Sequence, residues 1–257
     1  MSVGRLIIDP PLSGPVNMAR DEALLAGCES DSTIALRFYA WSSPTISLGY
    51  FQDFAAYQRL EAPAGKLGVV RRTTGGGAIL HDLEVTYSLV VPIDHPRVHI
   101  KPNQLYALAH EAIIETVGHG VQMVRCHLLP PCGESSQRGP FFCFARRHAL
   151  DVLVADPYGI AGFSKLAGSA QRRTRAAILQ HGSIMLDSRF AQQPVATWKQ
   201  VAGAIESTRA INRLTPAFAE RLGVDLRPGV WTADELGRAA RLETKYAGEA
   251  WTRERRT

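Results

Sequence analysis

Three consecutive glycines, Gly75, Gly76 and Gly77, follow a strand-like run at 67–72 and precede the apolar Ala78, Ile79 and Leu80. Glycine has no Cβ, so the chain can reverse sharply there and lay bare backbone against a ligand. The flanks add Arg71, Arg72, His81 and Asp82 to the same short segment, RRTTGGGAILHD. Two cations and a His-Asp pair crowded around exposed amides point to one wall of a binding site rather than a plain turn. The spacing is neither G-x-G-x-x-G nor G-x-x-x-x-G-K-[ST], and a strand rather than a helix is expected to follow. The glycines therefore do not indicate a nucleotide phosphate site.

Around this loop the chain reads as clustered strands with helices between and after them. Runs at 34–41, 45–50, 67–72 and 84–91 are rich in β-branched and aromatic residues and bounded by Ser-Pro, Gly or Pro, which predicts strands. A first helix is expected from an Asn17 cap to a stop at Gly27, and a second from Asn103, with Leu105, Leu108, Ala109, Ala112 and Ile113 on one face. Residues 128–140 hold three prolines and two glycines and predict a loop. Strands at 151–155 and 165–171, joined by a turn at 156–164, predict a hairpin, and 176–186 predicts a further strand. The segments 191–207, 216–222 and 233–246 read as helices. The expected fold is a mixed α/β or α+β sheet flanked by helices, with a catalytic domain over 1–190 and a helical extension over 191–257 packed on it.

Composition narrows the functional classes. A chain of 257 residues that is 46% hydrophobic can bury a full core. Its apolar runs fall well short of the ~20 residues a membrane helix requires, and the three-residue apolar run near the start is too short for a signal peptide. A cytoplasmic protein, monomeric by default, is expected. Four cysteines are too few for a disulfide framework, and Cys126, His127 and Cys132 do not have zinc-site spacing, so no metal is expected. The net charge of +5 is small and lacks interleaved aromatics, which argues against nucleic acid.

Two further segments carry possible chemistry. In KLAGSAQ, Lys165 opens a strand whose small residues Gly168, Ser169 and Ala170 leave room for a ligand, although a lysine there also suits an edge-strand gatekeeper. In ILQHGSIML, His181 sits within a strand. With the glycine loop, these segments resemble the lipoate-protein ligase A and octanoyltransferase group, related to biotin protein ligases, over about residues 9–186. The resemblance implies a biotin/lipoate-ligase-like catalytic fold. It also implies an acyl pocket lined by Arg71, Arg72, Gly75, Gly76, Gly77, His81, Gly168, Ser169, Ala170 and His181, with the acyl carboxyl end near Lys165.

The same resemblance singles out Cys143 in FFCFARRHALDVLV, because octanoyltransferases that work through an acyl-enzyme carry a Cys-Phe pair there. Taken by itself Cys143 suits a buried position among Phe141, Phe142 and Phe144. An ordinary cysteine is only a few per cent thiolate at neutral pH, so a cation must help, and Lys165 is the expected helper. The implied reaction is ping-pong: Cys143 takes octanoyl from acyl carrier protein, and a lysine of a lipoyl domain or glycine-cleavage H protein then attacks the thioester. Oxyanion charge would meet the amides of the glycine loop and the Gly168-Ser169 region, and His81 or His181 is either a general base or a structural hydrogen-bonding group. No cofactor is needed in that reading. The alternatives are a ligase that activates lipoate with ATP and Mg, which the GGGAILHD form of the loop suits, and a non-catalytic protein that binds acyl carriers or lipoyl domains through its positive charge.

Overall fold

The computed structural model describes residues 2–98, 103–118, 123–125, 140–148, 150–160 and 162–256. Cys126, His127 and Cys132, and all of the expected loop at 128–140 except Pro140, lie outside the described residues. Eight strands form the main sheet: β1 (Ser2–Ile8), β2 (Ile34–Tyr39), β6 (Glu84–Pro92), β7 (Met123–Arg125), β8 (Val152–Ile160), β9 (Phe163–Arg173), β10 (Ala177–Met185) and β11 (Val224–Pro228). Their spatial order is β11-β1-β2-β6-β10-β9-β8-β7. β1 runs parallel to β2 and β11, and the other neighbours are antiparallel, so the sheet is mixed. A small second sheet joins β3 (Thr45–Leu48), β4 (Gly68–Arg71) and β5 (Ile79–His81), in the order β4-β3-β5.

The period-two alternation of the strands sorts their side chains onto two faces. On one face Phe38, Tyr87, Leu89, Leu166 and Ile178 pack under α3 (Gln104–Val117) and α5 (Ser207–Leu222). On the other, Ala35, Val90 and Leu179 pack under Leu24 and Leu25 of α1 (Gly14–Asp31). Further along that second face the rows turn polar: Arg37, Ser88, His181 and Ala170 lie side by side, then Tyr39, Thr86, Ser183 and Gly168. The small sheet covers this polar end, and the site lies between.

Several local expectations shift. The first helix begins at Gly14 with Ser13 at its cap and runs past Gly27 to Asp31. Asn17 is instead buried inside it, where its amide donates to the carbonyls of Leu12 and Ala40 and its oxygen accepts from Arg37. The segment 191–257 is not wholly helical. It contains α4 (Trp198–Ala202), α5, α6 (Ala233–Ala247) and α7 (Glu249–Glu254), and also β11, which pairs with β1 at the sheet edge. A short strand ending in Pro228 survives there because an edge strand has a free side on which a missing N–H costs nothing. Among the described residues no helix is long and apolar enough to cross a membrane.

Candidate active site

The glycine loop is held from inside by Arg72. Its guanidinium is buried and donates to the carbonyls of Gly75 (2.6 Å), Gly77 (2.7 Å) and Ser47 (2.9 Å), so it shapes the loop instead of offering a free cation. Gly76 has φ of +89°, a conformation that side chains rarely adopt. A Cβ on Gly77 would lie 2.9 Å from the Cys143 nitrogen, so only glycine lets the two backbones approach. They are joined by a short ladder in which Ala78 N donates to Phe141 O (3.0 Å) and Cys143 N donates to Ala78 O (2.7 Å).

Cys143 opens a single 3-10 turn, Cys143–Ala145, with its side chain half-buried. The Lys165 ammonium stands 3.6 Å from the Cys143 sulfur and 3.4 Å from its carbonyl oxygen. Lys165 reaches it because the β8–β9 register slips: Leu153 faces Lys165 while Val152 faces Ala167. That irregularity brings Lys165 beside Gly168, where a Cβ would fall 2.3 Å from the lysine Cε. Gly168 is therefore glycine to make room for Lys165, and lines neither cavity described below.

Lys165 is 2% exposed and forms an ion pair with Asp151 at 2.8 Å, both side chains being buried. Burial opposes its charge, but Asp151 and then Cys143 outweigh this and hold the ammonium above its ordinary pKa. Asp151 is fixed in turn by the His148 amide at 2.7 Å. Arg147 donates to Phe144 O and Phe163 O, tying the turn that carries Cys143 to β9. Sequence reasoning missed Asp151. Its only local signal is an acid at the head of the apolar run LDVLV.

Two cavities meet at this centre. An inner one runs between the sheet and the covering loop and is lined by Met18, Tyr39, Trp41, Ile79 and His81 among others. An outer groove carries Phe51, Arg59, Arg146, His148, Asp151 and Lys165 on its walls. Gly76, Cys143, Ser169 and Ala170 border both, so the cysteine stands at the junction. Arg72 and His181 border the inner cavity, and Gly75 and Gly77 the groove. Arg71 borders neither. It points to the opposite side of β4 and donates to the carbonyls of Gly49, Tyr50, Gln52 and Thr252, which corrects the expectation that it lines the acyl pocket.

Both expected histidines are engaged at both ring nitrogens. His81 Nδ1 faces Glu84 (2.7 Å) and Nε2 faces the Ser47 hydroxyl (2.7 Å), with the ring stacked on Trp41. Burial lowers the His81 pKa against the pull of Glu84, which favours the neutral ring. His181 is held the same way between Asp21 (2.8 Å) and Thr74 (2.7 Å). A third histidine, His110 of α3, was not anticipated. Its Nδ1–H donates to Leu150 O, leaving Nε2 to accept from the Ser169 hydroxyl at 2.6 Å, and burial pushes its pKa down to about 4. Tyr87 donates to the same hydroxyl at 2.5 Å, so Ser169 is oriented from two sides. Among the described residues no group of three or more His, Cys, Asp and Glu could hold a metal ion.

The fold is that of solved lipoate protein ligases. The structure overlays the bi-partite lipoate protein ligase of Thermoplasma acidophilum with a TM-score of 0.73 at 22% identity, covering 98% of this chain and 97% of that one. The chain belongs to the lipoyl protein ligase A/B catalytic domain family, whose sequence model matches residues 13–210. It is similar over almost its whole length to proteins named octanoyltransferase LipM. The one from Kyrpidia tusciae is 34% identical, with 98% of each chain covered, and the one from Moorella thermoacetica is 35% identical, with 97% of each covered.

Proposed function

We propose that this chain is an octanoyltransferase of protein lipoylation that carries its acyl group as a thioester on Cys143. Full-length likeness to proteins named octanoyltransferase supports the class of reaction. The observation that carries the mechanism is the position of Cys143, at the junction of the inner cavity and the outer groove, 3.6 Å from a buried ammonium. An acyl chain on that sulfur occupies the inner cavity, while the groove receives first the donor and then the acceptor.

In the first step the Cys143 thiolate attacks the carbonyl carbon of an octanoyl thioester on acyl carrier protein. A new S–C bond forms, the carrier's S–C bond breaks, and the carrier thiolate departs and takes a proton from solvent. Lys165 stabilises the thiolate, and Asp151 keeps Lys165 charged and aimed. In the second step the uncharged amine of a lysine on a lipoyl domain, or on a glycine-cleavage H protein, attacks the Cys143 thioester. An amide N–C bond forms, the Cys143 S–C bond breaks, Cys143 leaves as the thiolate, and the proton lost by the amine passes to solvent. Backbone amides of the glycine loop beside Cys143 meet the transient oxyanion. A thioester is converted to an amide, which runs downhill, so the reaction requires no nucleotide to drive it.

The test is a transfer assay with purified protein, octanoyl-acyl carrier protein and a lipoyl domain, without nucleotide. Octanoylated lipoyl domain is expected with the wild type and none with Cys143→Ser. A lipoyl domain modified only when lipoate, ATP and Mg are supplied would replace the transferase with the ligase.

A further inference from the structure

Behind the glycine loop, on the side away from Cys143, lies the C-terminal helix α7. Trp251 and Thr252 are buried there against β4. The Trp251 indole N–H donates to Arg71 O at 2.8 Å, and Arg71 Nε donates to Thr252 O at 2.8 Å. One terminal nitrogen of Arg71 then gathers three carbonyls of a single turn: Gly49 (2.9 Å), Tyr50 (3.0 Å) and Gln52 (2.7 Å). A buried guanidinium with fixed fork geometry leaves such a turn little freedom.

The Gln52 side chain continues the chain of contacts to the nucleophile. Its oxygen accepts from Gly49 N at 2.9 Å, closing the turn, and its nitrogen donates to Phe141 O at 3.0 Å, two residues before Cys143. Phe141 O also accepts from Ala78 N, the residue that follows the glycines. Gln52 stands on the groove wall, yet both ends of its amide are spent on backbone. The turn is also pressed against the loop, because a Cβ on Gly49 would fall 2.0 Å from Gly76 O.

We infer that Gln52 is a positioning residue for Cys143, and that the C-terminal helix acts on the reaction through it by way of Arg71. The inference rests on the acyl-enzyme reading above and adds how the nucleophile is held. Gln52 touches neither reacting atom. It fixes the carbonyl that anchors the Cys143 turn, and a displacement of about an ångström at a reacting sulfur is enough to cost up to a hundredfold in rate.

The experiment compares two rates at Cys143 in the full-length wild type, Gln52→Ala and Gln52→Glu: acylation by an octanoyl thioester and alkylation by iodoacetamide. Glutamate keeps the acceptor toward Gly49 but sets a carboxylate oxygen against the Phe141 carbonyl. Acylation should fall about ten- to a hundredfold in both variants, with alkylation changed less than about threefold and Tm held. The small reagent needs only a reachable sulfur, whereas acylation needs it aligned. Acylation within about twofold of wild type in a folded variant overturns the inference, and so does a parallel fall of both rates. If Gln52→Ala does not fold, Gln52→Glu decides by the same two criteria, and failure of both to fold makes the clasp structural and also overturns it. A wild type that forms no adduct removes the acyl-enzyme reading and this inference with it; a wild-type adduct with unaffected variants removes this inference alone.

Discussion

The inner cavity and the outer groove differ in how their polar groups are used. In the inner cavity the polar side chains are turned on one another: His81 on Glu84 and Ser47, His181 on Asp21 and Thr74, and Trp41 on Thr86. What remains for a ligand is the surface of Met18, Tyr39, Trp41 and Ile79. The outer groove instead presents the exposed Arg59 and Asp53 on its walls, with the buried Lys165–Asp151 pair at its base beside Cys143. The contrast teaches a division of labour. A satisfied polar network forms a cavity that selects by apolar fit, while an open charged groove suits partners that must come and go. Cys143 borders both, as the proposed carrier between two such partners requires.

The largest expected effect comes from the junction. Cys143→Ala should lower octanoyl transfer at least about a thousandfold, measured as modified lipoyl domain per unit time. Activity within tenfold of wild type would show that the two cavities are not joined through the sulfur. Next comes the pair behind it. Lys165→Met leaves Asp151 buried without its partner, and urea unfolding should report a loss of about 3–5 kcal/mol.

The same pair sets a pH dependence. Lys165 has a folded pKa above its unfolded value, so its contribution is fully present below about pH 10.4 and is lost as pH rises through the folded pKa. Wild type should therefore lose stability above about pH 10.4, while Asp151→Asn, in which only Cys143 is left to oppose burial at the lysine, should show a smaller loss. Identical alkaline limbs would dismiss the ion pair as the cause.

Smaller effects separate the two regions. Met18→Ala enlarges the inner cavity, so the ratio of decanoyl to octanoyl transfer should rise about tenfold, as expected for a methylene or two of added room. An unchanged ratio would mean that Met18 does not bound the chain. Arg59→Ala, at the groove wall, should lower kcat/KM for the carrier-protein donor only about two- to fivefold at low salt, and the difference should vanish near 0.5 M salt.

The parts of the site legible in the sequence were those with local signatures. Three adjacent glycines announce close backbone approach, and the geometry shows the approach to be against Cys143. Lys165 and Cys143 were found through short motifs, and they meet at 3.6 Å. Asp151, Asp21 and His110 carried no such mark, because each is paired across the sheet or between layers with residues distant in the chain, as Asp21 is with His181. Arg71 and Arg72 show the limit most clearly. As neighbours they looked equivalent, but successive residues of an extended chain point to opposite faces. Arg72 holds the glycine loop and Arg71 holds the C-terminal helix. Among the elements, β11 was missed because VDLRP is short, charged and ends in proline, so pairing with β1 rather than its own pattern makes it a strand.

The central claim is that one acyl group rests on Cys143 between two partners. Intact-mass measurement of the protein after incubation with octanoyl-acyl carrier protein, without nucleotide or acceptor, tests it directly. The account predicts a single octanoyl adduct on the wild type, removed by hydroxylamine and absent from Cys143→Ser. An unmodified wild type that nonetheless transfers octanoyl to a lipoyl domain, or an adduct that persists in Cys143→Ser, would contradict it.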